Sequence, residues 1–109
     1  MLANLLGSVN KERVLIYLAA RGRGYARQIA RFFDASLSPV QNAMESLEAA
    51  GVLVSRAVGG TREYEFNPRY PARSELAALL SRALALSPAN LRDELLLSRT
   101  RPRRKGKPL

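Results

Sequence analysis

The sequence contains no cysteine and no histidine. Their joint absence excludes disulfide cross-links, Cys/His zinc sites, thiol nucleophiles and imidazole bases. Long apolar runs are missing too: none reaches the roughly 18 uninterrupted residues of a membrane span. The opening MLANLLGSVNKERV has too short an apolar run and no basic lead-in for a secretory signal. A soluble, cytoplasmic chain with no membrane association is expected. No phosphate-binding glycine motif is present, and the carboxylates are scattered. Glu63 and Glu65 sit together only as one face of a strand, and Glu45 and Glu48 are three apart on a helix, which is ordinary surface chemistry. The sequence therefore predicts no enzyme, no catalytic residue, no metal and no cofactor.

What is there begins with charge. Eighteen Lys and Arg against 9 Asp and Glu give a net charge of +9, which implies an anionic partner or strong solubility, nucleic acid being the commonest such partner. The excess is uneven, because Arg99, Arg101, Arg103, Arg104, Lys105 and Lys107 fall in the final stretch with no acid among them. At 109 residues and 47% apolar, the chain can fill one modest core and leaves little room for a large cleft.

The most informative stretch runs from Ser36 to Phe66, SLSPVQNAMESLEAAGVLVSRAVGGTREYEF. Ser38 as N-cap, Pro39 at the first helical position and Gln41 closing a capping box predict a helix start. Val40, Ala43, Met44, Leu47 and Ala50 then form an apolar stripe, with Gln41, Asn42, Glu45 and Ser46 turned away from it. Gly51 ends this helix, and an alternating run from Val52 to Arg56 begins. Gly59-Gly60 turns the chain, which returns with Tyr64 and Phe66 on one side and Glu63 and Glu65 on the other.

Upstream, Ser8 or Asn10 is expected to cap a helix running to about Arg21, with Val14, Leu15, Leu18, Ile16 and Ala19 as its buried side. Gly22 stops it. A short helix follows over 27–33, with Ile29, Ala30 and Phe33 inward and Arg27 and Arg31 on the wet face. Downstream, the prolines of Asn67-Pro68-Arg69-Tyr70-Pro71 mark a linker. Ser74 is then expected to cap a helix with Leu76, Leu79, Leu80, Ala83 and Leu84 on its apolar face. Ser87-Pro88 opens a last helix through Leu91, Leu95 and Leu96. From Arg99 on, prolines, glycine and like charges predict disorder. The expected fold is mainly α with a small antiparallel β-hairpin: a winged helix-turn-helix over 1–70, a C-terminal helical dimerisation segment over 71–98 and a basic tail over 99–109.

Residues 10–66 resemble the ArsR-type winged helix-turn-helix regulators. The resemblance is carried by RVLIYLAARG, YARQIARFFDAS, LSPVQNAMESLEAAGVLV and VGGTREYEFNP in chain order. The LEAAGVL stretch and the asparagine-proline exit look most like winged-helix modules found beside small nucleotidyltransferase domains. The resemblance implies a sequence-specific transcriptional regulator, a repressor by steric blocking, bound to double-stranded DNA. Metal-regulated release is not carried over, since no cysteine or histidine ligand exists. A second reading is a protein-interaction or antitoxin-like module that partners a nucleotidyltransferase-family protein.

In such a fold the second helix of the motif enters the major groove by its N-terminal residues, here Ser38, Pro39, Gln41 and Asn42. Gln and Asn can pair bidentately with adenine, and the proline ring can meet a thymine methyl. Equally, Gln41 can be spent on its cap and Asn42 on solvent. Arg56, Thr61 and Arg62, around the Gly59-Gly60 tip, are candidates for phosphate or minor-groove contact, or are merely the solvated flanks of a turn. Tyr25 and Arg27 are backbone-contact candidates. A homodimer through Leu2, Leu5, Leu6, Leu76, Leu79, Leu80, Ala83 and Leu84 would match two-fold DNA half-sites, the other outcome being burial within one chain.

Overall fold

The structure, a computed structural model, describes residues 2–100, with the side chains placed as far as Leu96. The element order is α1 (Ala3–Leu6), α2 (Val9–Arg21), β1 (Arg23–Tyr25), α3 (Ala26–Phe32), α4 (Leu37–Ala49), β2 (Leu53–Val58), β3 (Thr61–Phe66), α5 (Arg73–Ala85) and α6 (Ala89–Thr100). This is a winged helix extended by C-terminal helices, as the sequence predicts, with a short N-terminal helix, α1, that the sequence reading does not include. No helix among the described residues is long and apolar enough to cross a membrane.

The second helix is the hub. Val14 through Leu18 are buried in unbroken succession, together with Ala20. A helix covered on nearly every side must be surrounded, and α1, α4, α5 and α6 all pack on it. Its start is set by Ser8, whose hydroxyl accepts the Lys11 N–H at 3.1 Å. Two details depart from the amphipathic reading of this helix: Ala19 is exposed, and Tyr17 is fully buried.

The hairpin gains a third strand. β1 pairs antiparallel with β3, giving the order β1-β3-β2, with Gly24 opposite Tyr64. Gly24 has to lack a side chain, since a Cβ there would lie 2.9 Å from Tyr17 Cε1 and 3.1 Å from Gln28 Oε1. So short a strand, split between Arg, Gly and Tyr, shows no alternation that a sequence reading could detect.

Three helix starts are corrected. α4 begins at Leu37 with Ser36 as N-cap, and no side chain caps it. Leu37 packs against the core, which draws the first turn upstream of Ser38. Pro39 then occupies the third helical position, where its missing N–H costs nothing because the first N–H groups have no intrahelical acceptor. α5 begins at Arg73 after Ala72, so Ser74 lies inside it and contacts Glu75 at 3.1 Å instead. Ser87 does not cap α6 through its hydroxyl. It donates to Ala83 O at 2.8 Å, satisfying a carbonyl at the end of α5.

Leu2, Leu80, Ala83 and Leu95 join the same core as α2, α4 and the sheet. The expected boundary near residue 70 therefore runs through shared packing. Of the predicted tail, residues 99 and 100 belong to α6, and the rest lies outside the described residues.

Glu12 tethers the N-terminal segment. Burial pushes its carboxyl up, hydrogen bonds from the backbone N–H groups of Leu2, at 2.6 Å, and Ala3 are among the interactions that pull it down, and the net shift is below its ordinary value of 4.5. A folded-state pKa below the unfolded one gives stability that is complete above the unfolded value and lost as pH falls through the folded one. Glu12→Gln is thus expected to melt at a lower temperature than the unaltered chain at neutral pH and to match it in acid. Circular dichroism melts at the two pH values check this.

Candidate nucleic-acid interface

The surface formed by α3, α4 and the β2–β3 hairpin is built from the inside outward. Ile29 and Ala30 of α3 are buried, as are Val40, Ala43, Met44 and Leu47 of α4, and the two helices pack on these faces. The turn between them is closed by the Ala35 N–H, which donates to Ala30 O at 2.8 Å. It passes through Asp34 at φ 53°, a left-handed conformation that aspartate tolerates better than most side chains. Once the apolar stripe of α4 is spent on α3 and α2, Ser38, Pro39, Gln41, Asn42, Glu45 and Ser46 are all exposed. The start of α3 is fixed by Gln28 Oε1, which accepts the Tyr25 N–H at 3.2 Å.

Gly59 and Gly60 at the hairpin tip have φ of 56° and 87°. A two-residue turn with both central residues at positive φ matches the twist of its strands, and glycine adopts it without a Cβ penalty. Thr61 Oγ1 donates to Val58 O at 2.9 Å and ties the turn together.

Strand register separates the two wing arginines. Arg62 falls on the side of Tyr64, two residues away, whereas Arg56 stands opposite Glu63 on the other side. Arg56 is held there, its Nε and Nη2 donating to Glu63 Oε1 at 3.2 and 3.0 Å. Arg23 approaches the same carboxylate at 3.8 Å. Of the two wing arginines, only Arg62 turns toward α4.

The result is a groove of about 350 Å³ between α3, α4 and the hairpin. It brings together Tyr25, Arg27, Gln41, Gly60, Thr61 and Arg62, all singled out in the sequence. Ser38, Pro39, Asn42, Arg56 and Gly59 do not line it, although each is exposed. Four lining residues carry no such expectation: the apolar Ala26 and Leu37 and the polar Glu45 and Tyr64. Glu45 was legible as the residue one helical turn after Gln41. From the sequence, Tyr64 reads only as part of the apolar side of its strand. Burial pushes the Tyr64 phenol up from its ordinary value, and the charges of Glu48 and Glu45 push it further. It is therefore a neutral hydroxyl on the groove wall at physiological pH.

The residues expected to join two copies divide. Leu2, Leu80 and Ala83 are buried in this chain's own core, so a second copy cannot reach them. Leu6, Leu76, Leu79 and Leu84 are half-buried against it. Leu5 is 71% exposed, and Leu86, at the end of α5, is 64% exposed. Among the described residues no group of His, Cys, Asp and Glu is arranged to hold a metal ion.

The chain is similar in structure to the adhesin competence repressor of Streptococcus pyogenes, with a TM-score of 0.60 at 17% sequence identity over 88% of this chain and 75% of that one. At that identity the likeness is one of fold. No family model and no curated protein matches the sequence.

Proposed function

We propose that this protein is a sequence-specific, DNA-binding transcriptional regulator of ArsR-like character, a cytoplasmic repressor that acts as a homodimer by blocking its site. The observation that carries the reading is the groove itself. One concave surface places an exposed helix face beside a glycine-tipped hairpin, with two arginines, Arg27 and Arg62, on its walls. In this reading α4 lies in the major groove with Gln41 over the bases and with Ser38, Pro39 and Asn42 flanking. Tyr25, Arg27, Thr61 and Arg62 meet the backbone, and Gly59-Gly60 lets the hairpin approach closely. The fold likeness to a repressor supports the same assignment.

A dimer would present two such helices to two half-sites. Leu5 and Leu86 supply exposed apolar surface for it, and the half-buried rims of Leu76, Leu79 and Leu84 lie on α5, which Leu86 directly follows. Nothing in the groove favours partnership with a nucleotidyltransferase-family protein over DNA.

The test is selection of bound fragments from random duplexes, alongside a sedimentation series across concentration. Enrichment of a two-fold related motif and a mass that doubles within the micromolar range are expected. Failure to retain any duplex at low ionic strength would end the regulator reading. A monomer at every concentration would end the dimer alone.

A further inference from the structure

The groove-side arginine of the hairpin is not left loose in solvent. Arg62 Nε donates to Ser55 Oγ at 3.0 Å, and the Ser55 hydroxyl donates onward to Glu48 Oε2 at 2.7 Å. Ser55 lies opposite Tyr64 and Ala57 opposite Arg62, so Ser55 and Arg62 are diagonal neighbours on one face of the sheet. Glu48 comes from the last turn of α4. The relay thus crosses from helix to β2 to β3 with every member correctly paired: a carboxylate that only accepts, a hydroxyl that does both, and a guanidinium that only donates. It uses Nε alone. Neither Nη of Arg62 has a partner among the described residues, and the pair of them is the edge that fits two oxygens of one phosphate. Arg56 is the contrast, with Nε and Nη2 both already committed to Glu63.

We infer that Ser55 and Glu48 are positioning residues that pre-orient Arg62 to grip a single DNA phosphate beside the segment met by α4. The inference rests on the DNA-binding reading above and deepens it. A loose arginine surrenders rotamer freedom when it binds, whereas here that freedom is given up on folding. The relay also ties the hairpin to the reading helix, so that phosphate grip and base contact share one frame.

Binding of a selected duplex and of an unrelated one is measured across salt concentrations for the unaltered chain, Arg62→Ala, Arg56→Ala, Ser55→Ala and Ser55→Thr, with thermal melts confirming that each is folded. Arg62→Ala is expected to reduce the salt slope by about 0.9 on both duplexes, the loss of one phosphate, and Arg56→Ala to leave it unchanged. Ser55→Ala should keep the slope and bind about five-fold more weakly, and Ser55→Thr, which retains the hydroxyl, should restore affinity. Undiminished affinity in Ser55→Ala, or no recovery in Ser55→Thr, would overturn the positioning role. An unchanged slope in Arg62→Ala, or an effect confined to the selected duplex, would overturn the phosphate contact, the latter in favour of a base edge. If the unaltered chain retains neither duplex, the DNA-binding reading fails and takes this inference with it, a result distinct from the others.

Discussion

Tyr17→Ala is expected to destabilise the folded chain by about 3–5 kcal/mol, the cost of removing a large buried ring. That is about a fifth or more of the roughly 5–15 kcal/mol by which an ordinary domain is stable. Tyr17 has no exposed surface, packs edge-on against Phe32 with ring centroids 5.7 Å apart, and lies directly under the backbone of Gly24. It therefore joins α2 to α3 and to the strand that leads into α3. Its hydroxyl does separate work. Arg21 Nη1 donates to it at 2.9 Å, while Nε and Nη2 of the same guanidinium donate to Leu95 O and Glu94 O on α6 at 3.0 and 3.3 Å. The guanidinium also lies over the Tyr17 and Phe32 rings at 4.9 and 5.2 Å.

Tyr17→Phe isolates the smaller of these contributions. It keeps the ring and the stacking but removes one of the acceptors of Arg21, with an expected cost of about 1 kcal/mol. Urea titrations followed by circular dichroism give both values. If the phenylalanine variant proves as unstable as the alanine variant, the hydrogen-bonded link to α6 outweighs the packing and this account of the core is inverted.

Tyr17 also marks where sequence reading stopped. The element types were legible because each long helix has a 3.6-residue apolar period and the hairpin a period of two around its double glycine. The hub helix hid its nature by being apolar on most sides, so an amphipathic reading assigned it one face and overlooked Tyr17. Helix starts slipped for a different reason. Ser38 and Ser74 carry the local chemistry of a cap, but Leu37, Tyr70 and Leu76 pack against the core, and burial of that kind outweighs a cap worth ~1 kcal/mol; Ser87 carries it too, but its hydroxyl goes to Ala83 O. In the groove, Gln41, Arg27 and Arg62 could be proposed from position along the motif. The separation of Arg56 from Arg62 depends on strand register, which the turn fixes but the residue types do not announce. The C-terminal helices showed one apolar stripe each, and nothing in a stripe says whether the chain's own α2 or a second copy will cover it. For Leu80, Ala83 and Leu95 the cover is internal.

Gln41→Ala is expected to flatten base preference at one position of each half-site by about 1–3 kcal/mol, or roughly 5- to 150-fold in discrimination. Asn42→Ala should do distinctly less. The difference follows from the true start of α4. With Ser36 as N-cap and no capping box formed, the Gln41 side chain is not spent on the helix end, and it lines the groove together with Arg62 and Thr61, where Asn42 does not. Glu45 lies one turn further along the same wall. A carboxylate so placed is repelled by phosphate and can be satisfied only by a donor such as the cytosine amino group, which narrows what Gln41 can be reading beside it. The two substitutions are compared by repeating fragment selection with each purified variant at one fixed salt concentration. Identical motifs from both variants and the unaltered chain would mean that α4 does not read bases, whereas a larger loss from Asn42→Ala would mean that the duplex meets this helix from its other side.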